Sequence, residues 1–239
     1  MPRSRDQRVT FDADDDVWAA LPPTKVKGQY GARGDFLNQA VRQSLNPPIQ
    51  VRTTGTDAEA REQINTFLAS AESDILLVGI SLQFLLSCSY TLLQELVRNH
   101  VALTVLLIPE KVPPRSALFE ALRRRMGNAQ LANQMLEQVR SSTAQFLELE
   151  ALGGQIGTRV QVRTCDELPM YGLAVRDRLG DSRPTRRMRI NVYSRVSVRH
   201  RHPVLEIDPT VPGGQAAYGV FDAYYEELLP RSVELRAPG

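Results

Sequence analysis

Residues 74–109 read DILLVGISLQFLLSCSYTLLQELVRNHVALTVLLIP, and this stretch decides the fold of the larger part of the chain. It opens with a continuous apolar run, Ile75 to Ile80, of the kind that is buried on both faces of a parallel sheet. A helical segment from Tyr90 to Asn99 follows, and Val101 to Ile108 forms a second apolar run. Two parallel strands joined by a helix form a βαβ unit, which requires a right-handed crossover. The stretch therefore predicts a sheet with helices packed against it.

The segments on either side of this unit supply further helices and strands. The sequence predicts helices at residues 57–73, 116–152 and 218–229, and strands at residues 159–164, 170–175, 188–193 and 204–207. Within the longest helical region, Gly127-Asn128 is a potential break. The apolar face of this region suits packing in the core or pairing with the same helix of a second chain, and we favour the core.

The composition of the chain is that of an ordinary globular protein. Its 239 residues are 42% hydrophobic and 23% charged, so a core can form. The net charge of +2 argues neither for nor against a nucleic-acid partner. Cys88 and Cys165 stand far apart in apolar surroundings, which is typical of free thiols in a cytoplasmic protein. Since the polar N-terminus has no signal peptide and no segment suits a membrane span, we expect a soluble, cytoplasmic chain.

The first 48 residues have a pattern of their own. Arg8-Val9-Thr10-Phe11 alternates as a short strand does, with Val9 and Phe11 on one face. Asp12 then suits the N-cap of a helix, and a second helical segment runs from Gly34 to Leu45. Because the strand has no partner within this segment, we expect a second copy of the chain to pair with it.

The order of strand, helix and helix in residues 5–46 resembles the ribbon-helix-helix fold of the Arc/MetJ-type repressors. In that family two chains pair their strands into a ribbon that enters the major groove of DNA. The resemblance implies a homodimer formed through the strand, or a higher oligomer, that binds double-stranded DNA. Pro22-Pro23 departs from the family because it breaks the first helix. The DNA-binding residues that we predict are Arg5, Arg8, Thr10, Lys27, Ala32, Arg33 and Gly34, of which the last three would hold a phosphate on their backbone amides.

Residues 60–230 resemble a single lobe of the phospholipase D superfamily in the order of their elements. The matching segments include VALTVLLIP, RVQVRTCDELPMYGLAVRD, RMRINVY and FDAYYEELL. Active members carry a histidine, a lysine two residues on and an aspartate five further. At the candidate His200, position 202 is a histidine instead of the lysine, and Asp208 is one position late. The resemblance thus implies a phospholipase D-like domain without its catalytic motif, and we predict no catalytic residue, no cofactor and no enzyme activity.

Two further sets of side chains are candidate ligand sites. His200 and His202 share one face of a strand, but Arg199 and Arg201 would repel a cation, so we predict no metal site. An arginine-rich cluster could instead hold a small anionic effector or a DNA backbone, because guanidinium groups recognise phosphate. Ion-paired surface strands explain the same residues, and we favour that explanation. The cluster comprises Arg163, Arg176, Asp177, Arg189, Arg199 and Arg201.

These observations predict an α+β or α/β chain with two modules. Residues 1–48 form the DNA-binding and dimerisation module, residues 49–56 a linker, and residues 57–239 the phospholipase D-like α/β sandwich domain. We expect a dimeric, sequence-specific transcriptional repressor whose C-terminal domain dimerises or senses a ligand. Two alternatives stay open. One is a phosphodiesterase or nuclease with a degenerate site, and the other is an antitoxin-type or defence-type adaptor whose N-terminal module never touches DNA.

Overall fold

The computed structural model describes residues 49–52, 56–178, 185–192 and 204–236. The N-terminal module that the sequence predicts lies outside them. The described strands are β1 (Ile49–Arg52), β2 (Asp74–Val78), β3 (Ala102–Leu107), β4 (Val160–Thr164), β5 (Tyr171–Arg176), β6 (Arg187–Val192), β7 (Val204–Ile207) and β8 (Val233–Leu235). The described helices are α1 (Asp57–Ala69), α2 (Gln83–Arg98), α3 (Ala117–Met126), α4 (Ala129–Ile156) and α5 (Gly214–Leu228), followed by a 3₁₀ turn, Leu229–Arg231.

The eight strands form one mixed sheet in the order β1-β7-β6-β5-β2-β3-β4-β8. Strands β2, β3 and β4 are parallel neighbours, whereas the pairs β2–β5, β5–β6 and β6–β7 are antiparallel. Every residue of β2 is buried, which explains why its sequence is a continuous apolar run and not an alternating one. The predicted βαβ unit is therefore confirmed as the parallel pair β2–β3 with α2 between its strands.

Helices cover both faces of the sheet, and each face has its own apolar core. On one face Ile75 and Leu77 of β2 pack with residues of α1, α2 and the C-terminal half of α4, including Phe67 and Phe146. On the other face Leu76 and Val78 pack against α5. Alternate residues of one strand thus serve opposite layers, as the pleat of a strand requires. A third core lies between α3 and the first half of α4. None of the described helices is long and apolar enough to span a bilayer.

The boundaries of several elements differ from those predicted. The long helical region divides at the expected place, because Gly127 has a φ of +92° and Asn128 caps α4 by accepting a hydrogen bond from the Leu131 amide at 2.8 Å. Helix α2 begins at Gln83, earlier than predicted, directly after Leu82 in the left-handed region. Residues 49–52 are not part of a linker as predicted, since they pair with β7 as an edge strand. These four residues alternate, but the prolines before them and the polar turn residues after them favoured a linker.

Asp177 joins the end of β5 to the turn that leads into β2. One of its carboxylate oxygens accepts hydrogen bonds from the backbone amides of Glu72 and Ser73, each at 2.8 Å. The residue is fully buried, and its φ of +53° lies in the left-handed region. Burial alone would raise the pKa of this carboxyl group, but the amides of Glu72 and Ser73 outweigh burial and hold the pKa below its usual value. The native structure therefore stabilises the charged carboxylate.

A buried ion pair links β6 to β7 on the face covered by α1. Nη1 of Arg189 lies 2.8 Å from Oε1 of Glu206, and its Nη2 donates to Oε1 of Gln63 in α1 at 3.2 Å. The Arg189 side chain is only 3% exposed. Arg140 and Glu137 form a pair of the same length on α4, but their side chains are 55% and 66% exposed. The chain thus contains the same interaction in a dry and in a wet environment.

The Asp177 carboxylate gives a pH-dependent test of the β5–β2 junction. We expect Asp177→Asn, which tolerates left-handed backbone, to lower the free energy of unfolding by about 2 kcal/mol at pH 7. Because the folded pKa is depressed, this contribution is present above the unfolded pKa of about 3.9 and is lost as the pH falls through the folded pKa. Thermal unfolding between pH 7 and pH 3 measures it, with the exposed loop residue Asp166→Asn as the control. A difference from wild type that stays constant over this range would contradict the assignment.

The two ion pairs give a matched test of burial. We expect Glu206→Gln to destabilise the protein by about 3 kcal/mol, because it leaves the buried Arg189 guanidinium without its counter-charge. Glu137→Gln removes an exposed partner, whose contribution is typically below about 1 kcal/mol. Urea unfolding of both variants at pH 7 measures the contrast. Equal losses of stability in the two variants would show that the β6–β7 pair is not dry.

Candidate functional site at the carboxyl edge of the sheet

The topology gathers several chain segments at one edge of the sheet. The parallel strands β2, β3 and β4 all have their carboxyl ends there. Strand β5 begins at this edge, since its Leu173 lies opposite Val78 at the end of β2. Strand β6 ends there at Val192, opposite Tyr171, and β7 begins there at Val204. In open α/β sheets ligands bind outside the carboxyl ends of the strands, so we call this edge the carboxyl edge and treat it as the candidate site.

The loop before β5 is fixed at the carboxyl edge from two sides. Nη1 of Arg125, in α3, donates to the Pro169 carbonyl at 2.5 Å. The Met170 amide donates to the hydroxyl oxygen of Tyr224, in α5, at 3.1 Å. The Tyr171 ring meets the Tyr224 and Phe221 rings edge-on, with centroids 6.3 and 5.5 Å apart. Burial raises the pKa of the Tyr224 hydroxyl, which therefore stays protonated at neutral pH. The start of β5 is thus held rigidly beside the strand ends.

The spacing of the phospholipase D motif also fits β5, which sequence reasoning missed. Met170, Gly172 and Asp177 stand in the positions of the histidine, the lysine and the aspartate. Only the aspartate is kept, and it holds the turn before β2. The distance of five residues from Gly172 to Asp177 was the available signal. Because a thioether and a hydrogen atom supply neither a nucleophile nor a cation, β5 itself carries no phosphohistidine chemistry.

The sequence contains three histidines, and only His100 is among the described residues. His200 and His202 lie outside the described residues, in the segment that leaves the sheet after Val192 and returns at Val204. His100 precedes β3 at the opposite edge, where its Nδ1 is 3.1 Å from Oγ1 of Thr158. The two described ends of this segment, Val192 and Val204, both lie at the carboxyl edge.

The predicted arginine cluster is only partly assembled. Arg163 lies on β4, where its Nε donates to Oγ of Ser232 at 2.7 Å, and β2 and β3 separate it from β5. Arg176 and Arg189 do share the α1 face, together with Arg187, which the prediction omitted. Arg199 and Arg201 lie outside the described residues. The sequence does not show which of these arginines lie on neighbouring strands, because that depends on the strand order.

The remaining predicted sites fall outside the part of the chain that the structure describes. They are Arg5, Arg8, Thr10, Lys27, Ala32, Arg33 and Gly34. Within the described ranges no group of three or more His, Cys, Asp or Glu side chains could hold a metal ion. Cys88 and Cys165 are free thiols, and burial raises the pKa of the Cys165 thiol, so this group stays protonated at neutral pH.

Comparison with known proteins relies on structure alone. No protein-family model matches the sequence, and no curated protein matches it either. Phosphatidylserine synthase from Haemophilus influenzae Rd KW20 superposes with a TM-score of 0.50 and 13% identity, over 90% of this chain and 49% of the synthase. Nuc from Salmonella typhimurium, a phospholipase D family member, gives a TM-score of 0.46 and 10% identity, over 79% of this chain and 98% of Nuc. The archaeal chromatin protein TrmBL2 gives 0.40 and 12%, over 82% of this chain and 60% of TrmBL2.

These likenesses concern the fold. The chain spans about half the length of the synthase and 60% of TrmBL2, and identities of 10–13% carry no residue roles across. Our prediction that the chain is not an enzyme is contradicted, because the solved structure that it matches at a TM-score of 0.50 is an enzyme. The missing motif misled us, since a fold can keep its chemistry with other residues. The described domain has a mixed α/β fold, which it shares with the phosphatidylserine synthase.

Proposed function

We propose that this chain is a phosphodiesterase acting on nucleic acid, with His200 or His202 as its nucleophile. The observation that carries the proposal is the connectivity of the sheet. Strands β6 and β7 bring the ends of the histidine-bearing segment to the carboxyl edge. A fold shared with a phosphatidylserine synthase supports phosphodiester chemistry as the class of reaction. The phospholipase D resemblance implies the same class.

The expected reaction has two steps. An imidazole nitrogen attacks the phosphorus, a P–N bond forms, and the P–O bond to the leaving alkoxide breaks as that oxygen takes up a proton. Water then attacks the phosphorus, which releases the phosphate monoester and regenerates the imidazole. Arg199 and Arg201 flank the histidines in sequence, and their guanidinium groups would hold the phosphate in place of the lysine. The start of β5 and the half-buried phenol of Tyr224 would form the neighbouring wall.

Histidine variants of the full chain test this proposal. We expect wild type to cleave bis(p-nitrophenyl) phosphate or single-stranded DNA, and either His200→Asn or His202→Asn to lower the rate by at least about 100-fold, because the nucleophile is lost. The matched control is His100→Asn, which removes the imidazole at the opposite edge and tolerates the φ of +63° at that position. Acid-labile phosphate on the quenched protein would identify the intermediate. No cleavage by wild type, or equal rates in all variants, would refute the proposal.

A second candidate function uses the N-terminal module. The alternating Arg8-Val9-Thr10-Phe11 segment followed by helix signals supports a dimeric, sequence-specific DNA-binding protein, and we propose a transcriptional repressor. In this proposal two copies pair through the segment and present Arg8 and Thr10 to base edges. The two candidate functions use different residues of the chain. DNA binding would also bring the phosphodiesterase site to its substrate.

A gel shift tests the second candidate separately. The probe is DNA upstream of the protein's own gene, and the proteins are wild type, Arg8→Ala and Arg140→Ala. We expect Arg8→Ala to weaken binding by roughly 10-fold to 100-fold, the usual effect of losing one base contact of about 1–3 kcal/mol. Arg140 is an exposed arginine of α4, so its removal should leave binding unchanged. Equal binding by wild type and Arg8→Ala would remove the strand from DNA recognition.

A further inference from the structure

Two arginines face each other at the edge of the sheet opposite the carboxyl edge. Arg176 ends β5, and Arg187, which begins β6, is its direct cross-strand partner. Like charges in this position repel each other and weaken the strand pair. Arg187 has a counter-charge, since its Nη2 lies 2.8 Å from Oδ2 of Asp208. The cross-strand pair therefore destabilises the sheet unless Arg176 also has a counter-charge.

Arg176 lacks such a partner among the described residues. Its guanidinium carbon lies 5.4 Å from the centroid of the Phe67 ring in α1. Its Nε and Nη1 atoms are buried, and neither has a hydrogen-bond acceptor within the described ranges. Burial lowers the pKa of Arg176 and the charge of Arg187 lowers it further, and these two effects outweigh the nearby carboxylates of Asp177, Glu206 and Glu72, which raise it. Leaving a half-buried guanidinium unsatisfied is unfavourable, so the site is set up for an anion.

Three of the carboxylates around Arg176 have other partners, although Oδ2 of Asp177 is buried without a hydrogen bond to any described residue. Asp177 accepts the amides of Glu72 and Ser73, and Glu206 is paired with Arg189. Asp208 binds Arg187 and also accepts hydrogen bonds from the amide and hydroxyl of Thr210, at 2.9 and 2.5 Å. Glu72 itself is exposed. None of these groups therefore satisfies the Arg176 guanidinium in the described structure.

We infer that Arg176 and Arg187 form a binding site for a small phosphate-type oxyanion on the α1 side of the sheet. Nε and Nη1 of Arg176 would donate to the oxyanion, which accepts hydrogen bonds in several directions. Arg187 would contribute mainly its charge, because its Nη1 donates to the Arg186 carbonyl at 2.6 Å and its Nη2 lies beside Asp208. Arg176 is only half-buried, so solvent reaches part of the side chain. The six residues of β5 place this site about 17 Å from the start of the strand at the carboxyl edge. It is thus separate from the proposed histidine site and suits an effector more than a substrate.

The test compares phosphate with chloride at equal ionic strength. For the full wild-type chain we expect 10 mM sodium phosphate to raise the Tm by about 2–4 °C above the chloride reference. Arg176→Met should remove this rise. Its phosphate-free Tm should equal or exceed that of wild type, because methionine keeps the contact with Phe67 without an unsatisfied charge. Arg176→Lys keeps the positive charge but loses the bidentate hydrogen bonding of the guanidinium group, so we expect about tenfold weaker phosphate binding by calorimetry.

Two controls separate this site from others. Arg163→Met removes a guanidinium of β4 that already has partners, so its basal Tm should fall while the phosphate-dependent rise persists. His200→Asn should also keep the rise, since it lies in the other proposed site. Adenosine monophosphate in place of inorganic phosphate tests whether the bound oxyanion can be the phosphate group of a nucleotide. No rise in wild type beyond chloride, an equal rise in Arg176→Met, or loss of the rise in His200→Asn would overturn the inference.

Discussion

The complete burial of β2 is the constraint on which the rest of the domain depends. A strand that is dry on both faces needs a partner strand on each side and a helical layer above and below. Strands β3 and β5 supply the partners, α1, α2 and α4 supply one layer, and α5 supplies the other. The chain crosses from β2 to β3 through α2, so β3 is parallel to β2. The chain enters β5 from the end of β4, at the carboxyl edge, so β5 is antiparallel to β2 and the sheet is mixed.

The predictable part of the fold is the part governed by local pattern. Burial on both faces requires a run of apolar residues, and a left-handed backbone favours glycine. Both are local sequence patterns, so we could predict β2, β3 and the break at Gly127-Asn128. The edge strand β1 was missed because its four alternating residues follow two prolines and precede a polar turn segment, and β8 was missed because three residues are too few to show a period. The early start of α2 was missed because Leu82 adopts a left-handed φ of 54° without a glycine to signal it.

The candidate site was less predictable, because it depends on contacts between distant residues. Asp177 holds amides that lie 104 and 105 positions away, so its role is set by strand order and not by its neighbours. Arg163 and Arg176 looked equivalent in sequence, yet β2 and β3 lie between their strands. Arg187 was overlooked for the same reason, since only the β5–β6 register places it opposite Arg176. The sequence pattern of a strand indicates which of its faces are buried, whereas the prediction of a site also requires the register between the strands.

The antiparallel return of β5 and β6 gives the sheet two chemically different edges. At the carboxyl edge the aromatic residues Tyr171, Phe221 and Tyr224 fix a loop, and β6 and β7 lead into and out of the histidine-bearing segment. At the opposite edge β5 ends in Arg176, which lies against the Phe67 ring, and β6 begins with Arg187, which pairs with Asp208. Neutralising Arg176 would relieve its repulsion of Arg187, which pairs through Asp208 with the end of β7. Because β7 begins at the carboxyl edge and Asp208 directly follows its last residue, this strand connects the two chemically different edges of the sheet.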